Sequence, residues 1–392
     1  MLYEQYTNEI LGLKDVVLKG VEQTGGVKHI MLQMTATAHQ CPRCGAMTDR
    51  IHDYRLQPVK DLDAFGIQTV LELQKRRYVC QACGKRFYEK VHFLPRYHRS
   101  TTRLNAHIIK DMSDVQPMKS VAKRHHVSPT TVARTFDHVS YPTPHLPPVL
   151  SIDEFKGNAG GNKFQCILTD PTKKKVLDIL ESRKSENLYE YFGSFKDRVN
   201  VKYVVIDMSS LFRDVAISCF KNAMIIADKY HVVRQVTWAF EHVRKEVQKQ
   251  FHQERRRYFK RSRRVLLKRF KDLKDAERLQ VEAMLQLSEK LRNAYMLKEK
   301  FYDFIRSADI VEAKRRLLEW NLLVGMSDLP AFTKCFETFT RWEKYILNAF
   351  ICPYTNGYTE GVNNKIKVLK RNAYGVRNFN RFRNRILHMM AA

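Results

Sequence analysis

The chain has 392 residues, 44% of them hydrophobic, which supports two or three cored domains and excludes a disordered protein. Lys and Arg number 69 against 41 Asp and Glu, and a net charge of +28 makes a polyanion the natural partner, because each neutralised phosphate releases condensed counterions. No apolar run reaches the ~18 residues a membrane span needs, and MLYEQYTNEI lacks the charged-then-apolar pattern of a signal peptide, so a cytoplasmic setting without membrane or small-molecule substrate is expected.

Residues 1–97 alternate short apolar runs with turns and hold two Cys-x-x-Cys pairs, Cys41-Pro-Arg-Cys44-Gly and Cys80-Gln-Ala-Cys83-Gly. Each pair wraps a tight turn that brings two thiolates to one tetrahedral ion, and the following glycine supplies the positive φ the turn needs. Without a secretory signal, paired cysteines argue for metal rather than disulfides. One structural Zn2+ held by Cys41, Cys44, Cys80 and Cys83 is expected, with His52, His92 and His98 nearby but not required. The other four cysteines read as small core or surface residues. The strand-like IQTVLELQKRRYVC between the pairs fits hairpins carrying the two turns, hence a zinc ribbon.

Residues 98–140 are helical in pattern and rich in His, Lys and Arg. In MKSVAKRHHVSPTTVARTFDH (118–138), Val121 and Ala122 face inward from a first helix and Val127 plugs the turn. Ser128 then caps a second helix that begins at Pro129 and packs through Val132. This is a helix-turn-helix pattern, with Thr130, Thr131 and Arg134 facing DNA and His126 at the turn position where glycine is usual. The four prolines of YPTPHLPPV (141–149) disfavour helix and mark a linker.

Strand-like segments follow: VLSIDEF (149–155), KFQCILTD (163–170), KKVLDILES (174–182), KYVVIDMS (202–209) and AMIIADKY (223–230), with a short helix at SENLYEYFGSF (185–195). Strands that pair as hairpins and then alternate with helices predict a mixed α/β sheet. From 231 to 348 the pattern is long charged helices almost without Gly or Pro, and from Asn356 it is turn, then helix. No internal repeat is visible.

Asp153 sits on an apolar strand, with Glu154 expected on the opposite face, and Asp207 ends a β-branched run. Carboxylates at the ends of adjacent buried strands are costly unless a cation lies between them. Two metal ions about 4 Å apart activate a water or a 3′-hydroxyl and stabilise a leaving oxygen in phosphoryl transfer. Oxygen-rich sites of this kind suit Mg2+ or Mn2+. Glu360 opens TEGVNNKIKVLKR, where Asn364 and Lys367 share its helix face and are placed to hold phosphates. Residues 244–274 carry a dense run of Lys and Arg, and Arg255, Arg256, Arg257, Lys260, Arg261, Arg263 and Arg264 are expected to contact the DNA backbone. Core packing is the expected role of Trp238, with stacking on an unpaired base as the alternative. From Gly361 to Ala392 there is no acidic residue, so the final helix is another phosphate-binding candidate.

The order Cys-Pro-x-Cys-Gly, Cys-x-x-Cys-Gly, helix-turn-helix, S-I-D-E-F, V-V-I-D-M-S, A-D-K-Y-H-V and N-G-Y-T-E-G-V-N-N-K-I-K resembles the ISL-three family of bacterial insertion-sequence transposases. The likeness runs from about residue 10 to the closing RNAYGVRNFNRFRNRIL. It implies a ribonuclease-H-like catalytic domain with an Asp-Asp-Glu triad, which motif matching puts at Asp153, Asp207 and Glu360 with two Mg2+ (or Mn2+) ions. Asp228 and His231 match an accessory acidic-x-x-His pair of related families. Asp228 is also the rival for the middle triad position, or else a helix cap.

The implied multidomain α/β plan is a zinc ribbon at 1–97, a helix-turn-helix at 98–140, a linker at 141–149, a catalytic domain at 150–231 and 349–392, and a basic all-helical insertion at 232–348. The implied activity is recognition of terminal inverted repeats, metal-dependent strand cleavage and 3′-hydroxyl transfer into target DNA. Double-stranded DNA at the element ends and the target would be the partner, met by a homodimer in a synaptic complex. A nuclease or resolvase on the same fold, or a non-catalytic zinc-ribbon and helix-turn-helix regulator, are the alternatives.

Overall fold

The computed structural model describes residue 9 and residues 11–391, which fall into two compact units. One unit runs to Tyr141 and takes in Arg371–Gly375, and the other comprises Pro142–Lys370 and Val376–Met390. Among the described residues no helix is long and apolar enough to cross a membrane.

In the first unit, strands β1 (Val16–Thr24), β2 (Val27–Met34), β5 (Ile51–Lys60) and β6 (Thr69–Val79) form a sheet in the order β1-β2-β6-β5. β7 (Arg86–Tyr88) adds to β6, and β2 and β6 run parallel while the other pairs are antiparallel. Alternation in β6 buries Thr69, Leu71 and Leu73 on one face. Those leucines pack with Leu13, Val16, Ile30, Leu32, Val59, Phe93 and Leu94. A two-stranded ladder of β3 (His39–Gln40) and β4 (Met47–Thr48) frames the first cysteine pair, and the turn from β6 to β7 holds the second.

Helices α1 (Thr102–Asp111), α2 (Met118–Arg124) and α3 (Pro129–Phe136) enclose a separate small core of Leu104, Ile108, Met112, Val121, Ala122, Val132 and Phe136. Buried Asp61 accepts from Thr101 Oγ1 and Arg103 Nε, each at 2.7 Å, and so ties the ribbon to the start of α1.

The second unit is built on a five-stranded sheet in the order β10-β9-β8-β11-β12. Its strands are β8 (Val149–Phe155), β9 (Gln165–Asp170), β10 (Lys175–Leu180), β11 (Tyr203–Ile206) and β12 (Met224–Ala227). β8, β9 and β10 pair antiparallel, whereas β11 and β12 run parallel to β8. This is the mixed sheet of the expected ribonuclease-H-like fold. Helices α4 (Ser185–Gly193) and α5 (Ser210–Cys219) pack on it through Leu188, Phe192, Phe212 and Val215.

After β12 the chain becomes helical. α6 (Lys229–Lys249) buries Val232, Val236, Phe240, Val243 and Val247, a helical stripe, against the core. It is followed by α7 (Gln253–Arg261), α8 (Arg263–Leu267), α9 (Asp275–Gln286), α10 (Glu289–Ile305), α11 (Ile310–Gly325) and α12 (Pro330–Asn348). Phe301, Trp320 and Phe339 interlock at their centre, with ring centroids 5.1–5.6 Å apart. Asn348 at the end of α12 donates to the Ile225 carbonyl at 2.7 Å and returns the chain to the sheet. α13 (Gly357–Asn372) and α14 (Phe379–Ala391) complete the chain.

Candidate active site and nucleic-acid interface

The four expected cysteines converge: Sγ of Cys41 lies 3.6 Å from that of Cys83, and Sγ of Cys44 lies 3.5 Å from that of Cys80. All four sulfurs fall within 4.8 Å of one another. A tetrahedral Zn2+ with bonds of about 2.3 Å separates its sulfurs by about 3.8 Å, so the set fits one ion. Both turns have the same construction. Gly45 (φ 76°) donates to the Cys41 carbonyl and Gly84 (φ 70°) to that of Cys80, at 3.0 and 2.9 Å. The positive φ is what a Cβ would oppose there. His52, His92 and His98 stay outside the cluster.

The helix-turn-helix follows its pattern in detail. Ser128 Oγ accepts from the Thr131 amide at 3.1 Å, Pro129 opens α3, and Val132 is buried. His126 takes the left-handed backbone (φ 50°) that its place in the turn demands although it is not glycine, and its ring sits 3.4 Å from Asp63. Thr130 and Arg134 are exposed, as a reading helix requires. Thr131 is half-buried, with its hydroxyl 2.9 Å from Ser128 Oγ, so that hydroxyl is already engaged in the cap.

The carboxylates arise from strand register. Ile206 pairs with Ile152 of β8 on one side and with Ala227 of β12 on the other. One residue further along each strand stand Asp153, Asp207 and Asp228, and the Asp228 amide continues the ladder to the Ile206 carbonyl at 2.9 Å. Residues in register on parallel strands face the same way, so three aspartates form one row.

α13 supplies the rest of the site. Asn363 Nδ2 donates to Asp153 Oδ2 at 3.0 Å and the Asn356 amide to Asp228 Oδ1 at 3.0 Å. Thr359, fully buried, lies 3.0 Å from Ser151 Oγ and 2.8 Å from Thr169 Oγ1, which pins the first turn of α13 onto β8 and β9 with the adjacent Glu360 in the same turn.

The electrostatics are those of carboxylates whose burial outweighs the nearby positive charges of Arg183, Arg234 and Lys367. Burial, and then the charges of Asp207, Asp228 and Glu154, push Asp153 up to about 7. Burial followed by Glu154 pushes Asp207 up to about 6. Asp228 and Glu360 are also raised, chiefly by burial, and Glu360 further by Asp228. Hydrogen bonds to the row come from backbone amides and the Asn363 amide, while Asp228 Oδ2 is buried with no partner. Glu154 pairs with Arg183, yet its effect on Asp207 shows that strand alternation does not remove it from the electrostatics of the site.

Asp228 stands at the N-cap of α6, and the amides of Tyr230 and His231 in that helix's first turn, like that of Asn356, favour its charged form. Donor atoms of Asp228, His231 and Glu360 lie within 4.8 Å of one another, and could together hold a metal ion. Burial, then Arg234, lowers His231 to about 4, so its ring is neutral. Arg234 Nη2 donates to His231 Nδ1 at 2.9 Å. A guanidinium has only donors, so the ring proton resides on Nε2, 3.9 Å from Glu360 Oε1. His231 is therefore set up as a donor toward Glu360, and binding a metal through Nε2 would require the Arg234 bond to break.

Asn364 and Lys367 are exposed and bonded to each other at 3.2 Å, and the Lys367 charge reaches Glu360 and offsets part of its rise. Arg255, Arg256, Arg257, Lys260, Arg261, Arg263 and Arg264 are all exposed, although Arg263 is held by Glu241 at 2.7 Å. Arg244 and Arg269, in the same basic run, are buried in pairs with Glu241 and Asp303 and serve the helical core. Trp238 is not core: it is 55% exposed on α6. The helix turns Val232, Val236 and Phe240 inward, and Trp238 falls on the other side. Sequence reasoning missed Asn363, Arg234 and Thr359. The spacing of Asn363 from Glu360 at i, i+3 was the available signal for the first.

Comparison with known proteins agrees with this organisation. A family model for ISL3 transposases, described as transposase, matches residues 150–386. A zinc finger of the transposases IS204/IS1001/IS1096/IS1165 matches 37–83, and the helix-turn-helix domain of transposase family ISL3 matches 89–140. The transposase for insertion sequence element IS1001 from Bordetella parapertussis is 28% identical over 366 residues, covering 91% of this chain and 90% of that protein. A Lactococcus lactis subsp. lactis protein named ATP-dependent protease is 36% identical over 107 residues, 27% of this chain and 33% of its own length.

Proposed function

The chain belongs to the transposase family ISL3, and from that membership we propose that it binds the terminal inverted repeats of an insertion sequence, cleaves DNA strands there and joins the resulting 3′-hydroxyl ends to target DNA. The observation that carries the chemistry is the row Asp153, Asp207 and Asp228 beside Glu360, whose raised pKa values have no basic side chain bonded to offset them. Buried carboxylates in that state call for a cation, and the unpartnered Asp228 Oδ2 is a second sign of one. Two Mg2+ (or Mn2+) ions held by Asp153, Asp207 and Glu360 would activate the attacking hydroxyl and stabilise the leaving oxygen when bound.

The remaining roles belong to the chain's own residues. Asn363 orients Asp153, and Asp228 fixes the start of α13 through the Asn356 amide. His231 keeps its protonated Nε2 on the side of Glu360, 3.9 Å from Oε1, and is itself held by Arg234. Asn364 and Lys367 hold phosphate beside it. Thr130 and Arg134 of the helix-turn-helix serve end recognition on a helix capped by Ser128 and Thr131, with the zinc module folded by its single Zn2+. The exposed Arg and Lys between 255 and 264 hold the DNA backbone by charge. Two copies would engage the two ends in a synaptic complex.

Incubation with paired terminal-repeat oligonucleotides, a target duplex and magnesium tests the reading. Joined strand-transfer product is expected, whereas cleavage without joining assigns the site to a nuclease instead.

A further inference from the structure

The exposure of Trp238 has a setting. Along α6, Tyr230, Arg234 and Trp238 stand at i, i+4 and i+8, on one face and about 12 Å from end to end. Tyr230 is 55% exposed, like Trp238. The Arg234 guanidinium lies over both rings, 5.9 Å from the Tyr230 centroid and 4.9 Å from that of Trp238. The same guanidinium bonds His231, which faces Glu360, so the aromatic row starts at the carboxylate site. Further along α6 the exposed residues include His242, Lys245 and Lys249.

We infer that Tyr230, Arg234 and Trp238 form a stacking platform for unpaired nucleobases of a DNA strand leading to the carboxylates. Open aromatic faces accept any base by stacking, and the interleaved guanidinium adds cation–π attraction and a phosphate partner. Lys245 and Lys249 give the strand's phosphates a continuing positive track. A paired duplex hides its base faces, so the platform selects a strand that is open at the site. This rests on reading the carboxylate site as one that handles DNA, but it concerns binding alone.

The chain's other two tryptophans, Trp320 and Trp342, are 0% and 4% exposed, so quenching by a bound strand reports on Trp238. The test uses the full zinc-loaded chain without added magnesium, titrated with single-stranded oligo(dT) and with an abasic strand of equal length. Fluorescence quenching and anisotropy are read together. Oligo(dT) is expected to quench and to bind more tightly than the abasic strand, and Trp238→Ala to weaken its binding about 5- to 150-fold. Trp238→Phe, which keeps a ring, is expected to retain most of the affinity while losing the quench. Equal affinity for the abasic strand, or unchanged affinity in Trp238→Ala, would overturn the inference. No chemistry takes place in this assay, so its failure leaves the strand-transfer reading standing, and failure of strand transfer leaves the platform standing.

Discussion

Replacing Asp153 by Asn should make the protein more stable when no magnesium or manganese is added. The Asp153 carboxyl is 4% exposed, and its pKa is pushed from 3.8 up to about 7, first by burial and then by its acidic neighbours. That rise of roughly 3 units, at 1.36 kcal/mol each, makes the ionised form cost about 4 kcal/mol in the folded state. The amide carries no such cost. It keeps one acceptor for the Glu154 amide, and its NH2 meets Asn363, whose own buried Oδ1 has no partner and can turn to accept. Allowing ~1 kcal/mol for an imperfect hydrogen bond leaves about 3 kcal/mol. On a unit of this size that is a rise in melting temperature of about 6–12 °C.

The pH dependence fixes the sign. A carboxyl whose folded pKa is raised binds more protons when folded, so its favourable contribution is complete below about pH 4 and is lost as pH rises through about 7. The gap between Asp153→Asn and the parent should be widest at pH 8 and close toward pH 4. All three tryptophans lie in the unit that holds the sheet, so a melt followed by their fluorescence reports on it. Added magnesium should raise the parent midpoint and leave the variant where it is. Equal midpoints at pH 8, or a gap that does not change with pH, would refute the claim of an uncompensated carboxylate.

Two further changes test other parts of the molecule. Cys41→Ser removes one of four converging sulfurs and should lower bound zinc from about one equivalent to near none, with loss of terminal-repeat binding; full zinc content by metal analysis would show the ligand set to be wrong. Lys298, 1% exposed and with its pKa lowered to about 8 chiefly by burial, donates to the carbonyls of Leu266 and Lys268 at 2.8 and 2.7 Å and so anchors the end of α8. Lys298→Met should therefore cost about 2–4 kcal/mol by leaving those carbonyls unpaired. Denaturant unfolding measures this, and a loss below about 1 kcal/mol would show the anchor to be dispensable.

The legibility of the fold tracked local chemistry. β8 spans the same residues that its apolar run indicated, and the Cys-x-x-Cys-Gly turns adopt the positive φ their glycines allow. The row of aspartates was only half visible. Asp153 and Asp207 stood out as charges ending buried strands, but their alignment with Asp228 depends on β12 pairing with β11, which no local pattern states. Long-range partners were invisible for the same reason: Asn363 reads as an ordinary polar helix residue until α13 lies on β8. Within a helix the information was present but needed the right period. The buried stripe Val232, Val236 and Phe240 already excluded Trp238 from the core. The basic run held a mixture that composition cannot separate, since Arg244 and Arg269 are buried ion-pair partners among neighbours that face water.

The most direct test of the central claim is a single comparison at Glu360. Glu360→Gln keeps the size of the side chain and the start of α13 but removes the charge facing His231. With terminal-repeat DNA and magnesium, this variant should bind the ends about as tightly as the parent and yield neither cleaved nor joined strands. Strand transfer at the parent's rate would contradict the assignment of chemistry to these carboxylates.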